Sequence, residues 1–119
     1  MIDIKQIEGG VCASEGFLAN GIHAGIKKNK EKKDLAIIYS KSQCSAAAVY
    51  TQNKACGANI TVSKEHLKDG KAKAIICNSG NANTCNKNGV EVAKEMCKLA
   101  ADVLGIDEKE VAVASTGVI

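Results

Sequence analysis

The sequence predicts an α/β fold, with helices laid on a β-sheet. Three observations carry this. Short apolar runs bounded by polar residues recur along the chain, as in Leu35-Ala36-Ile37-Ile38-Tyr39 and Ala72-Lys73-Ala74-Ile75-Ile76-Cys77. One long segment, residues 90–104, has helical spacing instead. The two kinds of segment alternate through the second half of the chain.

Element by element, residues 9–26 are rich in glycine, and glycine inside strand-like sequence marks bulges or close backbone approach. Leu35–Tyr39 reads as a strand buried on both faces. Ala46–Thr51 ends in β-branched and aromatic residues, which favours a strand. Asn59-Ile60-Thr61-Val62 alternates like a strand with one wet face. Ser63–Lys68 reads as a short helix with Ser63 as N-cap and Gly70 as its end. Ala72–Cys77 is another buried strand, followed by a polar loop from Asn78 to Gly89. In residues 90–104, Ala93, Met96, Ala100 and Val103 form an apolar stripe joined by Val92, Leu99 and Leu104. Glu91 with Lys94 and Glu95 with Lys98 stand at i,i+3 spacing on the other face. Gly105 stops the helix. Asp107–Glu110 is a turn, and Val111–Ala114 a last strand.

With 119 residues, the chain is expected to form a single domain, residues 1–119. Hydrophobic residues are 45% and charged residues 24%, which argues against disorder. All 16 basic residues are Lys, aromatics are 3%, and the net charge is only +3. Without Arg forks or stacking rings, sequence-specific nucleic-acid binding is not expected. The lysine-rich run from Lys27 to Asp34 reads as a solvated loop between strands. No stretch approaches the ~20 apolar residues of a membrane helix, and the first ten residues do not resemble a secretory signal. A cytoplasmic protein without membrane contact is the expectation. Six cysteines are present but no CxxC pair, and His23 and His66 lie at no ligand spacing from them, so no metal site is expected. The cysteines read as small buried hydrophobes; Cys85, in a polar loop, is the one to watch.

Two segments could carry chemistry. Asn78-Ser79-Gly80-Asn81-Ala82-Asn83 follows a buried strand, where ligands tend to sit in α/β proteins. Its Asn and Gly residues suit turns that present amides to an anion, and a purely structural Asx turn is the alternative. Ser115-Thr116-Gly117 also lies just past a strand. A Thr hydroxyl and an adjacent Gly amide can converge on a developing negative charge, although the dipeptide alone is a weak signal.

At these segments the chain resembles the N-terminal part of the ornithine acetyltransferase family, bifunctional glutamate N-acetyltransferases of arginine biosynthesis. The matching residues run in order: Gly16-Phe17 with Gly21-Ile22-His23-Ala24-Gly25-Ile26-Lys27, Asp34–Ile38, Ala47–Asn53, Asn78–Cys85 and Ser115-Thr116-Gly117-Val118-Ile119. The family commonly has Pro near Ser14 and Gly57, and this chain has none. The resemblance implies a layered sandwich of helices on β-sheet, the self-cleaving, DmpA-like fold, incomplete without a second chain. It implies a precursor that cuts itself before a Thr, which becomes the nucleophile of a complementary β chain. The acetyl group then passes from N-acetyl-ornithine to glutamate, in ping-pong fashion, with no cofactor and with acetyl-CoA as an optional donor. Thr116 and Gly117 match the family's oxyanion hole. The nucleophile matches nothing in this chain, and Asn78, Asn81 and Asn83 are candidates for shaping the substrate pocket. This chain would be the α part of an α2β2 assembly, inactive and unstable alone. Three rival readings stand beside it: the α part of a related self-cleaving aminopeptidase-type hydrolase, a non-catalytic small-anion-binding module, and a purely structural half-domain.

Overall fold

A computed structural model describes all of residues 1–119. It contains strands β1 (Phe17–Ile22), β2 (Leu35–Ser45), β3 (Lys71–Asn81) and β4 (Val111–Val118), and helices α1 (Ala58–His66) and α2 (Gly89–Leu104). The four strands form one sheet in sequence order, with β1, β2 and β3 antiparallel and β3 parallel to β4. A parallel neighbour requires a crossover, and α2 supplies it. The architecture is therefore α/β, as the sequence predicts.

The stripe expected on α2 is only partly the buried one: Val92, Leu99 and Val103 are exposed, Met96 and Leu104 pack at the margin of the core, and small residues take its centre. Ala93, Cys97, Ala100 and Ala101 are buried. They meet Val62 of α1 and the alternate residues Ala74, Ile76, Val111 and Val113 of β3 and β4. Leu35, Ile37 and Tyr39 of β2 pack against the same cluster. Both helices thus lie on one sheet face. Gly70 and Gly105 end their helical segments in the left-handed conformation that glycine enters without penalty.

Several expectations change. Ala46–Thr51 is irregular, not a strand. Asn59–Val62 lies inside α1, and Ser63 is an interior helical residue, the N-cap being Gly57. Burial of Val62, Ser63 and His66 at helical spacing against β4 overrides the β-branched character of the preceding residues. Ser63 is committed elsewhere: its hydroxyl donates to the Val113 carbonyl at 2.7 Å and accepts from the Val113 amide at 3.0 Å. Beside it, His66 Nδ1 lies 2.8 Å from the Val111 carbonyl. At Val111 and Val113 the outer edge of β4 is closed by α1 in this way. The α2 lysines take other partners than expected: Lys94 reaches Glu65 at 3.4 Å and Lys98 reaches Asp102 at 3.0 Å.

Leu35–Tyr39 is a strand, but it is only half-buried. One face meets the helices. The opposite face of the sheet, bearing Phe17, Ile38, Ile75, Cys77 and Ala114 by strand alternation, has no helical layer. The chain exposes 8469 Å², against about 6,100 Å² for a self-contained protein of this mass.

Candidate functional site

The two polar segments singled out in the sequence are neighbours. Ser115–Gly117 and the first four residues of Asn78–Asn83 lie inside strands, because β3 runs on to Asn81 and β4 to Val118, while Ala82 and Asn83 lie just beyond β3. The parallel register sets Asn78 beside Ser115, Ser79 beside Thr116, and Gly80 beside Gly117. Some 37 positions of sequence separation vanish in one ladder. Gly80 and Gly117 have φ of +116° and +127°, a region that side-chain-bearing residues rarely enter. A Cβ on Gly117 would stand 2.5 Å from the Gly80 carbonyl carbon and 2.6 Å from its nitrogen. Only glycine lets the two backbones approach so closely.

Thr116 is exposed and borders a cleft of about 270 Å³. Its other walls include Gly21, Asp34, Cys77, Asn78 and Ser79. Asp34 is the buried charge of this region, 3% exposed. Its carboxylate accepts from the backbone N–H of Ala24 at 2.6 Å and of Lys27 at 2.9 Å. His23 Nδ1 lies 3.2 Å from the same carboxylate and 3.0 Å from the Lys32 carbonyl. Both neighbours are acceptors, so Nδ1 carries the proton. The Lys27 amide holds the Asp34 carboxyl below its ordinary range; burial opposes this, and the Ala24 amide and His23 reinforce it. The lysine run itself forms the solvated loop between β1 and β2 that its composition predicts.

On the helix side, Asn78, Asn81, Asn83 and Asn86 border a second cleft, about 600 Å³, with Ser115, Val92 and Met96. Their amides are largely committed to one another. Asn78 Nδ2 donates to the Asn81 carbonyl at 3.0 Å, and Asn83 Nδ2 to the Gly89 carbonyl at 2.8 Å. Asn86 Nδ2 donates to Asn81 Oδ1 at 3.2 Å and Asn83 Oδ1 at 3.0 Å. The Asn81 side chain also accepts from the Asn83 amide at 2.8 Å. The Asn83 carbonyl takes the Ala58 amide at 2.9 Å, and the Val118 carbonyl takes the Ala82 amide at 2.9 Å. The asparagines therefore tie the ends of β3, β4, α1 and α2 into one knot. With these donors spent internally, a free anion finds few of them available, which disfavours the anion-binding module.

Neither histidine combines with a cysteine. His66 is buried against β4, and His23 serves the Asp34 turn. Cys97 is wholly buried, and burial, aided by the nearby Glu108 charge, pushes its thiol up to about 12. Cys85 is exposed, with φ of +63°, and Cys77 lines the cleft of Thr116. No group of three metal-ligating side chains forms. Sequence reasoning missed Asp34, since an acidic residue closing a lysine run looks like any solvated loop charge. It missed the pairing of Gly80 with Gly117 because parallel register leaves no local trace.

Comparison with known proteins gives four findings. The family model described as ArgJ family matches residues 18–119. The arginine biosynthesis bifunctional protein ArgJ of Caldanaerobacter subterraneus subsp. tengcongensis is 47% identical over 98% of this chain, which spans 28% of that relative. Among solved structures, ArgJ of Bacillus halodurans superposes with a TM-score of 0.88 at 44% identity, over 93% of this chain and 58% of that one. Ornithine acetyltransferase from Mycobacterium tuberculosis, solved with ornithine, superposes with a TM-score of 0.83 at 34% identity, over 90% and 58%.

Proposed function

Because the chain belongs to the ArgJ family, we propose that it forms the N-terminal, α-chain portion of an acetyltransferase that moves an acetyl group from N-acetyl-ornithine to glutamate. Acetyl-CoA is a further candidate donor. In this reading the nucleophile is a threonine of a complementary chain cut from the same precursor. The acetyl group rests on that threonine between donor and acceptor, and this chain supplies the stabilising donors. The working protein is then a cytoplasmic α2β2 assembly.

The observation that carries the reading is Thr116 lining a cleft, with its chain neighbour Gly117 held by close contact with Gly80. Acyl transfer passes through a tetrahedral oxyanion, and donors already in place when that charge appears lower the barrier. Strand alternation supports the assignment. Val113 turns its amide and carbonyl outward to Ser63, whereas the Val118 carbonyl turns inward to Ala82. Gly117, two pairs on from Val113, belongs to the outward set, so its N–H is free of the β3 ladder. The uncovered sheet face supports a second chain: the surplus of exposed surface over a self-contained protein, roughly 2,300 Å², is of the size a permanent interface buries.

The mechanism needs no base from this chain. Attack by the partner's threonine on the donor carbonyl places negative charge on the carbonyl oxygen, where the Thr116 hydroxyl and Gly117 amide donate. The threonine's own α-amine takes the hydroxyl proton and passes it to the ornithine nitrogen, so that collapse breaks the amide C–N bond and releases a neutral amine; attack by the glutamate amine repeats the cycle in reverse and returns the proton to the threonine oxygen. The test is acetyl transfer by the complete protein, with and without Thr116→Ala. Turnover should fall by about 10²–10³ and precursor cleavage should slow, since both reactions form an oxyanion. Unchanged rates for both would remove Thr116 from the role.

A further inference from the structure

Resting on the reading of Thr116 and Gly117 as an oxyanion cradle, we infer that Asp34 is the positioning residue that holds this cradle in place, acting through the turn at residues 24–27 and Gly80. Asp34 touches both sides of the arrangement. Through its side chain it gathers the turn: the amides of Ala24 and Lys27 each donate to one carboxylate oxygen. Through its backbone it grips β3: the Ser79 amide donates to the Asp34 carbonyl at 2.9 Å, and Ser79 is the register partner of Thr116. The turn then presses Ile26 onto Gly80, where an added Cβ would meet Ile26 Cγ2 at 2.8 Å and Lys27 Cγ at 3.3 Å. Gly80 in turn lies against Gly117, with no room for a methyl between them.

The chain of contact is thus carboxylate, turn, Ile26, Gly80, Gly117, without a gap. A buried carboxylate is costly unless its oxygens are occupied, and here backbone amides and the His23 ring occupy them. An amide at this position offers one acceptor and turns an NH2 group toward a backbone N–H. The turn must then loosen, Ile26 loses its seat, and the Gly80–Gly117 contact is no longer clamped from outside. Asp34 lines the same cleft as Thr116, but the inference assigns it no contact with the reacting atoms.

The experiment is a double-mutant cycle in the complete acetyltransferase, with turnover normalised to the burst of acetyl-enzyme so that any loss of folded sites cancels. Asp34→Asn should lower kcat by between about ten- and a hundredfold, and Thr116→Ala by about 10²–10³. In the Thr116→Ala background, Asp34→Asn should cost less than about a further threefold, because the cradle it positions is already broken. Full multiplication of the two effects, or no effect of Asp34→Asn, overturns the inference and leaves the cradle standing. A harmless Thr116→Ala overturns the cradle and the inference with it. If Asp34→Asn does not fold, Ile26→Ala, at a half-exposed side chain, breaks the same path with the carboxylate intact. It should lower kcat several-fold alone and not in the Thr116→Ala background, and independence of the two again overturns the inference.

Discussion

The two faces of the sheet divide the labour of the molecule. The helix-covered face holds the wholly buried side chains, Val62, Ala93, Cys97 and Val111, each 0% exposed. The other face carries Ile75 at 42% exposure, with Phe17 and Ile38 half-covered and Thr116 exposed. On the covered face the histidine is tied to a carbonyl and the thiol is pushed up to about 12, and only the asparagine-lined end, where Ser115 Oγ is buried without a partner, stays open. The bare face and the sheet end beside it hold the cleft, the hydroxyl and the strained glycines. A surface left apolar and reactive is one that a further layer is meant to cover, whereas the covered face is already a finished core.

This division makes opposite demands on two substitutions. In the complete protein, Val111→Ala should cost about 2–3 kcal/mol of stability through lost burial and the cavity left behind, read from the urea midpoint, with turnover per active site unchanged. Thr116→Ala should do the reverse, shifting stability by less than about 0.5 kcal/mol while turnover collapses. If Val111→Ala lowered turnover per site as severely as Thr116→Ala, the faces would not be separable.

The edge where the faces meet offers a smaller test. Ser63→Ala strands both the amide and the carbonyl of Val113, at a cost of about 1–3 kcal/mol. Hydrogen exchange at Val113 should rise before that of Ile76, one strand inward. Equal protection in the variant and the parent would mean that water or another group replaces the hydroxyl.

How legible this was follows the range of each interaction. Helix α2 was legible because helical spacing repeats locally, although its buried face takes Cys97 and Ala101 where the sequence offered Leu99 and Val103; Gly70 and Gly105 were legible because a left-handed stop is a one-residue requirement. Helix α1 was misread because what decides it lies elsewhere: Ser63 reaches a strand fifty positions away, and from the sequence it looks like an N-cap. The candidate site shows the same split. Its two polar segments could be picked out one at a time, but their adjacency rests on parallel pairing across α2. Asp34 was hidden for a different reason. A charge is read as solvated unless the fold surrounds it with amides, and the Ala24 and Lys27 amides arrive only when the β1–β2 loop closes.

The cysteines give the finest comparison of the faces, because they report on both. Cys97 sits in the covered core and Cys77 beside the open cleft, while Cys12 and Cys85 are exposed. A thiol reagent at pH 8 should modify Cys12 and Cys85 first, since only the thiolate attacks and access is free. Cys77 should follow slowly, and shielding of it in the complete protein would support the proposed second chain over this face. Cys97 should react only on unfolding. Its thiol keeps its proton to about 12 in the folded chain, against 9.0 for an ordinary cysteine. Above pH 9 the unfolded state therefore binds fewer protons than the folded state, and stability falls as pH rises from 9 toward 12. Cys97→Ala should remove that part of the alkaline decline, at a fixed cost in packing visible at neutral pH. Modification of Cys97 as fast as Cys85 in the native protein would mean that the helix-covered face opens readily, and the contrast between a finished core and an unfinished one would be lost.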